Sequence, residues 1–371
     1  MFRSYNSILT QSFDVQFHAH ILLFTFPKRI NPIRHAYING SIKWDELTSK
    51  YCSTSLIDFL REEEWSEELI EEFAKCGIGL GAYEAILELS FIEILRLFIV
   101  TSYDGKNFQL LKGMESLIDS FLFDHHTPLS NIIEYGYKVA SIVQTLNGRY
   151  AVSGNGSSSS KGATLPIYEC DFVIVTVPLP QVRSIAFDPP LRDELNDAVN
   201  NVHYVQAAKI FLQTKSRFWL SHGVDGMMIS DLTIQNTYFS PEFSTSSKGM
   251  ITASYVWEDK AEKLFALSPE DKVLLAIDEL KQVFPEVEEE FERGASVEWK
   301  QGFCIFRPGQ AKKYHKILRE EALPRIFLAG EHTSVEHGYF EGALESVSFN
   351  RYHDRNAFSF HNFGHVQYSI V

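Results

Sequence analysis

Apolar residues recur at helical spacing in the first third of the chain and at strand spacing over much of the remainder. Up to about residue 34 no period assigns an element. From Trp65 to Gly77 the pattern is that of an amphipathic helix. Ser66 stands at the N-cap, Glu67 and Glu68 lie in the first turn, Lys75 lies near the end and Gly77 acts as the stop. Trp65 and Ile70 are spaced to close a hydrophobic staple. Ile86, Leu89, Ile94 and Leu97 continue the helical period between Ala82 and Val100, and Ser55 to Glu64 adds a further piece. These segments predict a small helical domain over 36–111. Gly77-Ile78-Gly79-Leu80-Gly81-Ala82 satisfies the G-x-G-x-x-A dinucleotide pattern, but an acidic helix precedes it where that fingerprint needs a strand, so it reads as an interhelical turn.

Beyond residue 112 the texture is one of strands and turns. Tyr137 to Thr145 alternates as a strand, a Ser/Gly-rich loop runs from Ser153 to Gly162, and Phe172 to Val177 reads as a buried strand ended by Pro178 and Pro180. Ala207 to Gln213 predicts a strand leading into Phe218-Trp219. Ser268, Pro269, Glu270 and Asp271 open a helix whose apolar face is Val273, Ile277, Leu280 and Phe284, with Pro285 as its end. Arg325 to Leu328 is a short apolar run that ends in Ala329-Gly330-Glu331. A turn and a helix follow, and the small residues Gly338, Gly342 and Ala343 let a flat ligand lie against the helix start, where free N–H groups favour negative charge. After Ser346 the helical period is lost, which predicts an irregular tail over 348–371.

Composition narrows the function classes. With 371 residues, 45% hydrophobic and 22% charged, the chain is long enough for two or more folded domains. A net charge of −14 without a Lys/Arg cluster argues against nucleic acid as a partner. Four scattered cysteines suit neither a C-x-x-C metal site nor a disulfide scaffold, so no metal is expected. The apolar stretch Ala19 to Phe26 is too short for a membrane span and has the wrong flanks for a secretory signal, which leaves the compartment open.

Ala329-Gly330-Glu331-His332-Thr333-Ser334, followed by His337-Gly338-Tyr339-Phe340-Glu341-Gly342-Ala343-Leu344-Glu345-Ser346, resembles the C-terminal signature of flavin amine oxidases, and most closely the L-amino-acid oxidases. The resemblance implies FAD as cofactor, with Glu331 at its ribityl region and the backbone near Phe340 at the N1/C2 edge of the isoalloxazine. Gly330, Gly338, Tyr339 and Ala343 belong to the same cofactor set, and Val139 falls where the family contacts adenine through backbone. The segment Asn201 to Leu212 is similar to the one that carries the lysine beside the flavin, which implies a catalytic Lys209. Ile251 to Asp259 resembles the strand whose tyrosine binds a substrate carboxylate, here Tyr255; Gly338 and Tyr339 would complete the substrate wall. Trp299 matches the tryptophan bordering the flavin.

The implied reaction is oxidative deamination of an L-amino acid to a 2-oxo acid, ammonia and H2O2, with O2 as the second substrate and a homo-oligomer as the expected assembly. Oxidation of a monoamine or polyamine is one alternative. A non-catalytic, degenerate chain that acts as a binding protein is another. The expected fold is α/β: an incomplete FAD-binding Rossmann-type domain, a mixed-sheet substrate domain and the small helical domain. Its parts are an unassigned segment 1–35, the helical domain 36–111, cofactor parts 112–205 and 325–347, the substrate part 206–324 and the tail. The family's strand and G-x-G-x-x-G turn for the pyrophosphate, and its early arginine for the substrate carboxylate, have no counterpart, which predicts impaired FAD binding in a truncated copy.

Overall fold

The computed structural model describes residues 28–76, 87–99, 110, 113–123, 128–156, 166–224, 226–240, 247–353 and 368–370. The Gly77 to Ala82 turn therefore lies outside the described residues, as does most of the Ser/Gly loop.

Helices fill the N-terminal third. The first, over 28–38, begins inside the stretch where the sequence shows no period; Ile30, 1% exposed, anchors it. Trp44–Tyr51, Leu56–Glu62, Glu67–Cys76 and Phe91–Ile99 follow. Ser55 caps the third of these five by accepting from the Asp58 N–H at 3.1 Å, and Ser66 accepts from the Leu69 N–H at 3.3 Å at the start of the fourth. Trp65 and Ile70 are both buried, and the Trp65 ring meets Phe73 edge-on with centroids 5.7 Å apart. The fifth helix starts only at Phe91. Ser90 is held outside it, since its N–H bonds the Phe306 carbonyl and its hydroxyl bonds the Cys52 carbonyl.

Among the described residues, twelve strands build three sheets. β1 (Tyr137–Gln144), β2 (Tyr150–Gly156), β3 (Tyr168–Cys170) and β5 (Ala186–Asp188) form a mixed sheet in the order β3-β2-β1-β5, while β4 (Phe172–Val175) belongs elsewhere. β6 (His203–Thr214), β7 (Met227–Ile229), β8 (Asn236–Phe239), β9 (Gly249–Trp257) and β10 (Phe291–Ile305) make an antiparallel sheet in the order β10-β6-β9-β8-β7. β11 (Ile326–Leu328) and β12 (Tyr368–Ile370) flank β4, both parallel to it.

The described residues pack into two apolar cores. The first joins the N-terminal helices to β1–β5 and to β11, with Phe73, Phe91, Tyr150 and Ile326 fully buried. The second packs β6 to β9 against the helices Glu258–Phe265 and Pro269–Leu280 around Trp219. Each buried Leu, Ile or Phe contributes about 1.5–3 kcal/mol relative to its exposed state. Strand β6 passes between the two cores. Its Val205 and Ala207 belong to the first, its Ala208, Ile210 and Leu212 to the second.

The C-terminal expectation needs correction. Backbone helix runs from Phe340 to His353, so the stretch from Val347 to Arg351 is helical, and β12 lies in the region expected to be an irregular tail. A helix already nucleated adds residues at one hydrogen bond each, so it continues past the point where its apolar period ends.

Candidate active-site face

Alternation along β6 fixes where Lys209 points. Its neighbours Ala208 and Ile210 face the second core, so Lys209 stands on the opposite face with Ala207 and Val205. Tyr255 of β9 and Val297 of β10 are its cross-strand partners. The Lys209 Nζ lies 4.3 Å from the Tyr255 ring centroid and 5.7 Å from that of Trp299. An ammonium held by ring faces in this way gains about 0.5–2 kcal/mol, more as water is excluded. Burial holds the Lys209 pKa below the ordinary lysine value, and among the described residues no carboxylate pairs with it.

The aromatic surface extends from there. Tyr255 and Trp257 meet edge-on at 5.7 Å, Trp257 and Phe303 at 5.3 Å, and the Phe303 ring lies 3.6 Å from where a side chain on Gly338 would begin. Burial raises the Tyr255 phenol above its usual value, and nearby Tyr339 adds to the shift. One continuous strip thus leads from Lys209 to the turn that precedes the C-terminal helix. Trp299 sits 38% exposed at the sheet edge. Between Trp299 and Phe303 the β6–β10 register shifts, four steps along β10 matching two along β6. The bulge lets both rings remain on the Lys209 face.

On the far side of this strip, β11 delivers Ala329, Gly330 and Glu331. Gly330 has φ +140°, a region that favours glycine, and a Cβ there would lie 2.7 Å from the His332 ring. Its N–H donates to Ser346 Oγ at 2.9 Å, which ties the strand end to the C-terminal helix. The Glu331 carboxylate accepts from the Cys304 N–H at 3.1 Å, from the Gly338 N–H at 3.0 Å and from Cys304 Sγ at 3.3 Å. It clamps the end of β10 to the Gly338 turn. Burial, and then Glu331 itself, pushes the Cys304 thiol well above its usual pKa, so it remains a protonated donor. Tyr339 and Phe340 are exposed at the helix start. Gly342 permits the close docking of that first turn, since a Cβ would fall 2.1 Å from the Glu336 carbonyl oxygen. Ala343 is half-buried, and its carbonyl accepts from Ser346 Oγ at 2.6 Å.

The fold therefore brings Lys209, Tyr255, Trp299, Gly338, Tyr339 and Phe340 to one aromatic strip and its flanking helix start, with Gly330, Glu331 and Ala343 directly behind. Val139 is separate: it packs on the first core from β1, in another sheet.

A second group of polar residues escaped the sequence reading. Glu93 and Arg96 lie on the helix Phe91–Ile99, 3% exposed each, and Glu93 Oε2 accepts from Arg96 Nε at 3.3 Å and contacts His337 Nδ1 at 3.1 Å. Burial alone would raise the Glu93 carboxyl, but His337 and Arg96 outweigh it and hold it below the usual range. His315 and His332 stay neutral: burial, with the charge of His337 adding to it, lowers them to about 4 and about 3. A cavity lined by Glu93, Arg96, His315, Phe306 and His337 lies among them. Two charges inside the otherwise apolar run Phe91 to Ile99 were the available signal, since buried charges require partners. They pair with each other, and the further partner of Glu93, His337, is 244 positions away. Lys272, 2% exposed, is a similar case: its ammonium bonds the Leu267 carbonyl at 2.8 Å and forms an ion pair with Glu298 of β10.

Comparison with known proteins gives this arrangement a family. The model for flavin containing amine oxidoreductases matches residues 14–346. The chain belongs to that family. YobN of Bacillus subtilis (strain 168), by name a candidate L-amino-acid oxidase, is 28% identical over 307 residues, which cover 77% of this chain and 62% of YobN. The L-amino-acid oxidase of Mus musculus is 27% identical over 306 residues, 80% of this chain and 46% of the mouse protein. The chain thus matches less than two thirds of the length of these relatives. Cyclohexylamine oxidase from Brevibacterium oxydans IH-35A shares the fold with a TM-score of 0.63 at 12% identity, covering 92% of this chain and 76% of the oxidase. A redesigned putrescine oxidase gives 0.65 at 16%, covering 94% and 76%. The family architecture, mixed α/β with mixed sheets, is present. Among the described residues no helix is long and apolar enough to cross a membrane.

The family is flavin-containing, and the donor set here fits the ring end of such a group. Aromatic faces, a lysine and an exposed helix start stand along one strip. For the pyrophosphate end, the described residues hold no glycine-rich turn after a strand.

Proposed function

We propose that this chain oxidises the primary amine of an L-amino acid with FAD, releasing a 2-oxo acid, ammonia and H2O2. The observation that carries the reading is the aromatic strip joining Lys209 to the Gly338 turn. When bound, the flavin supplies the ring that accepts the substrate hydride. Tyr255, through its hydroxyl, would donate to the substrate carboxylate, while the Tyr339 and Trp299 rings wall the amine and exclude water. Lys209 would place positive charge where O2 is reduced, and the amides at Phe340 would face the electron-rich edge of the ring. Gly330, Glu331 and Ala343 would carry the ribityl side, and Val139 the adenine through its backbone. In this reading β4 and β11 are part of an incomplete Rossmann-type sheet, the second core is the substrate domain and the N-terminal helices are the third domain.

Oxidation of a simple amine is the second reading. It is favoured by the lack, among the described residues, of an arginine acting on Tyr255 that could clamp a carboxylate as a fork; the cation facing that ring is Lys209. The purified full chain, incubated with FAD, decides between them. Flavin absorbance with peroxide from leucine or phenylalanine supports the first reading, and peroxide only from benzylamine or spermine supports the second. A chain that binds no flavin and forms no peroxide overturns both and leaves a binding protein. Homo-oligomer formation is read from the same preparation by sedimentation. Lys209→Met should bind flavin as before and slow its reoxidation; an unchanged rate removes the lysine from that role.

A further inference from the structure

Lys209 differs from the ion-paired lysines of this chain. Lys248, Lys272, Lys281 and Lys313 are each paired with a carboxylate. Lys209 faces rings, and it is half-buried rather than enclosed. Ala207, the next residue on this face, pairs with Trp299 across the strands, so the indole stands beside the lysine.

We propose that Lys209 Nζ is a nucleophilic amine that captures aldehydes of aromatic character as a reversible imine. The neutral amine adds its lone pair to the carbonyl carbon, forming a C–N bond while the carbonyl oxygen takes a proton. The resulting carbinolamine expels that oxygen as water and loses the nitrogen proton, and added water reverses the step. Two features select the class. The Tyr255 and Trp299 rings flank the nitrogen, so a planar substituent on the new C=N bond gains offset or edge contacts worth about 0.5–1.5 kcal/mol each. A 2-oxo acid would bring a carboxylate beside a half-buried lysine whose positive charge imine formation consumes, which disfavours it.

The lowered lysine pKa supports this reading, because each unit of depression raises the neutral fraction at pH 7 about tenfold. The inference goes beyond the oxidase reading and stands apart from it, since its readout is a covalent mass on the lysine.

The test treats the full chain with benzaldehyde and sodium cyanoborohydride at about pH 7, which traps the imine as a secondary amine, and maps the benzyl groups by peptide mass spectrometry. The exposed Lys300 and Lys312 serve as internal references. Lys209 is expected to be labelled ahead of both, with the preference disappearing near pH 10. Acetaldehyde, which lacks a ring, should give a smaller preference over the same two lysines, and Trp299→Ala should reduce the preference for benzaldehyde. Labelling of Lys209 no faster than of Lys300 and Lys312 overturns the proposal. An equal preference with acetaldehyde overturns the aromatic class. Either result leaves flavin binding and peroxide formation to be judged on their own assays.

Discussion

Replacing Glu93 with glutamine tests whether the buried charges hold the N-terminal helices to the site. Glu93 offers one carboxylate oxygen to both Arg96 and His337, and all three are nearly inaccessible to water. Glutamine keeps the shape and one acceptor oxygen but removes the negative charge, which leaves the buried Arg96 guanidinium without its bonded counter-charge. Removal of one partner from a buried pair costs about 3–5 kcal/mol, and the retained acceptor places this change near about 3 kcal/mol. A cooperative unit of about 200 residues unfolds with an entropy of roughly 0.4 kcal/mol/K, so the expected drop in Tm is about 7 °C. Thermal unfolding followed by circular dichroism at pH 7 measures it, with Arg61→Gln as the surface control: Arg61 also bonds a carboxylate, Glu67, at 2.8 Å, but both are exposed. Because the folded Glu93 carboxyl is held below its ordinary pKa, its contribution is complete above the unfolded value of about 4.3 and disappears as pH falls through the lower folded value. The difference between the parent and Glu93→Gln should therefore close in acid. A drop no larger than that of Arg61→Gln, or a difference that persists unchanged at low pH, refutes the reasoning.

Further outcomes can be checked on the same preparations. Gly330→Ala forces a side chain into a φ of +140° against His332 and should cost about 1–3 kcal/mol, read as a lowered Tm. The Cys304 peptide should resist iodoacetamide at pH 8 until the chain is unfolded in urea, since burial and Glu331 hold the thiol protonated; rapid native alkylation would contradict the Glu331 clamp. His315 and His332 are neutral in the folded chain but take up protons below about pH 6.5 when unfolded, so each lowers stability progressively from there toward about 4 and about 3. His332→Gln should flatten that acid limb in a series of melts.

Local signals were legible where a single residue sets local geometry. Ser268 caps the helix Pro269–Leu280, accepting from the Asp271 N–H at 3.1 Å, as the sequence predicts. The buried stripe of that helix was less legible. Val273, Ile277, Leu280 and Phe284, the expected face, do pack on the second core, but Lys272 and Ala276 are buried beside them within the helix. Glu298 of β10 supplies the partner that makes a buried lysine tolerable, and no local pattern announces a partner from another element. The strand around Lys209 was visible from its alternation, and its full length, His203–Thr214, exceeds the predicted segment at both ends because pairing with β9 and β10 extends it. The Glu331 signature could be read directly from sequence, whereas its grip on Cys304 and Gly338 depends on the register shift in β10.

The passage of β6 between two cores has a consequence for how the chain reaches its native pairing. Sliding that strand by one residue against β9 or β10 would exchange its faces, driving the Lys209 ammonium into the hydrocarbon around Trp219 and exposing Ile210 to water. The lysine of the proposed chemistry therefore acts as a registration mark during folding. A neutral replacement should loosen the fidelity of strand alignment even where it leaves the final architecture intact.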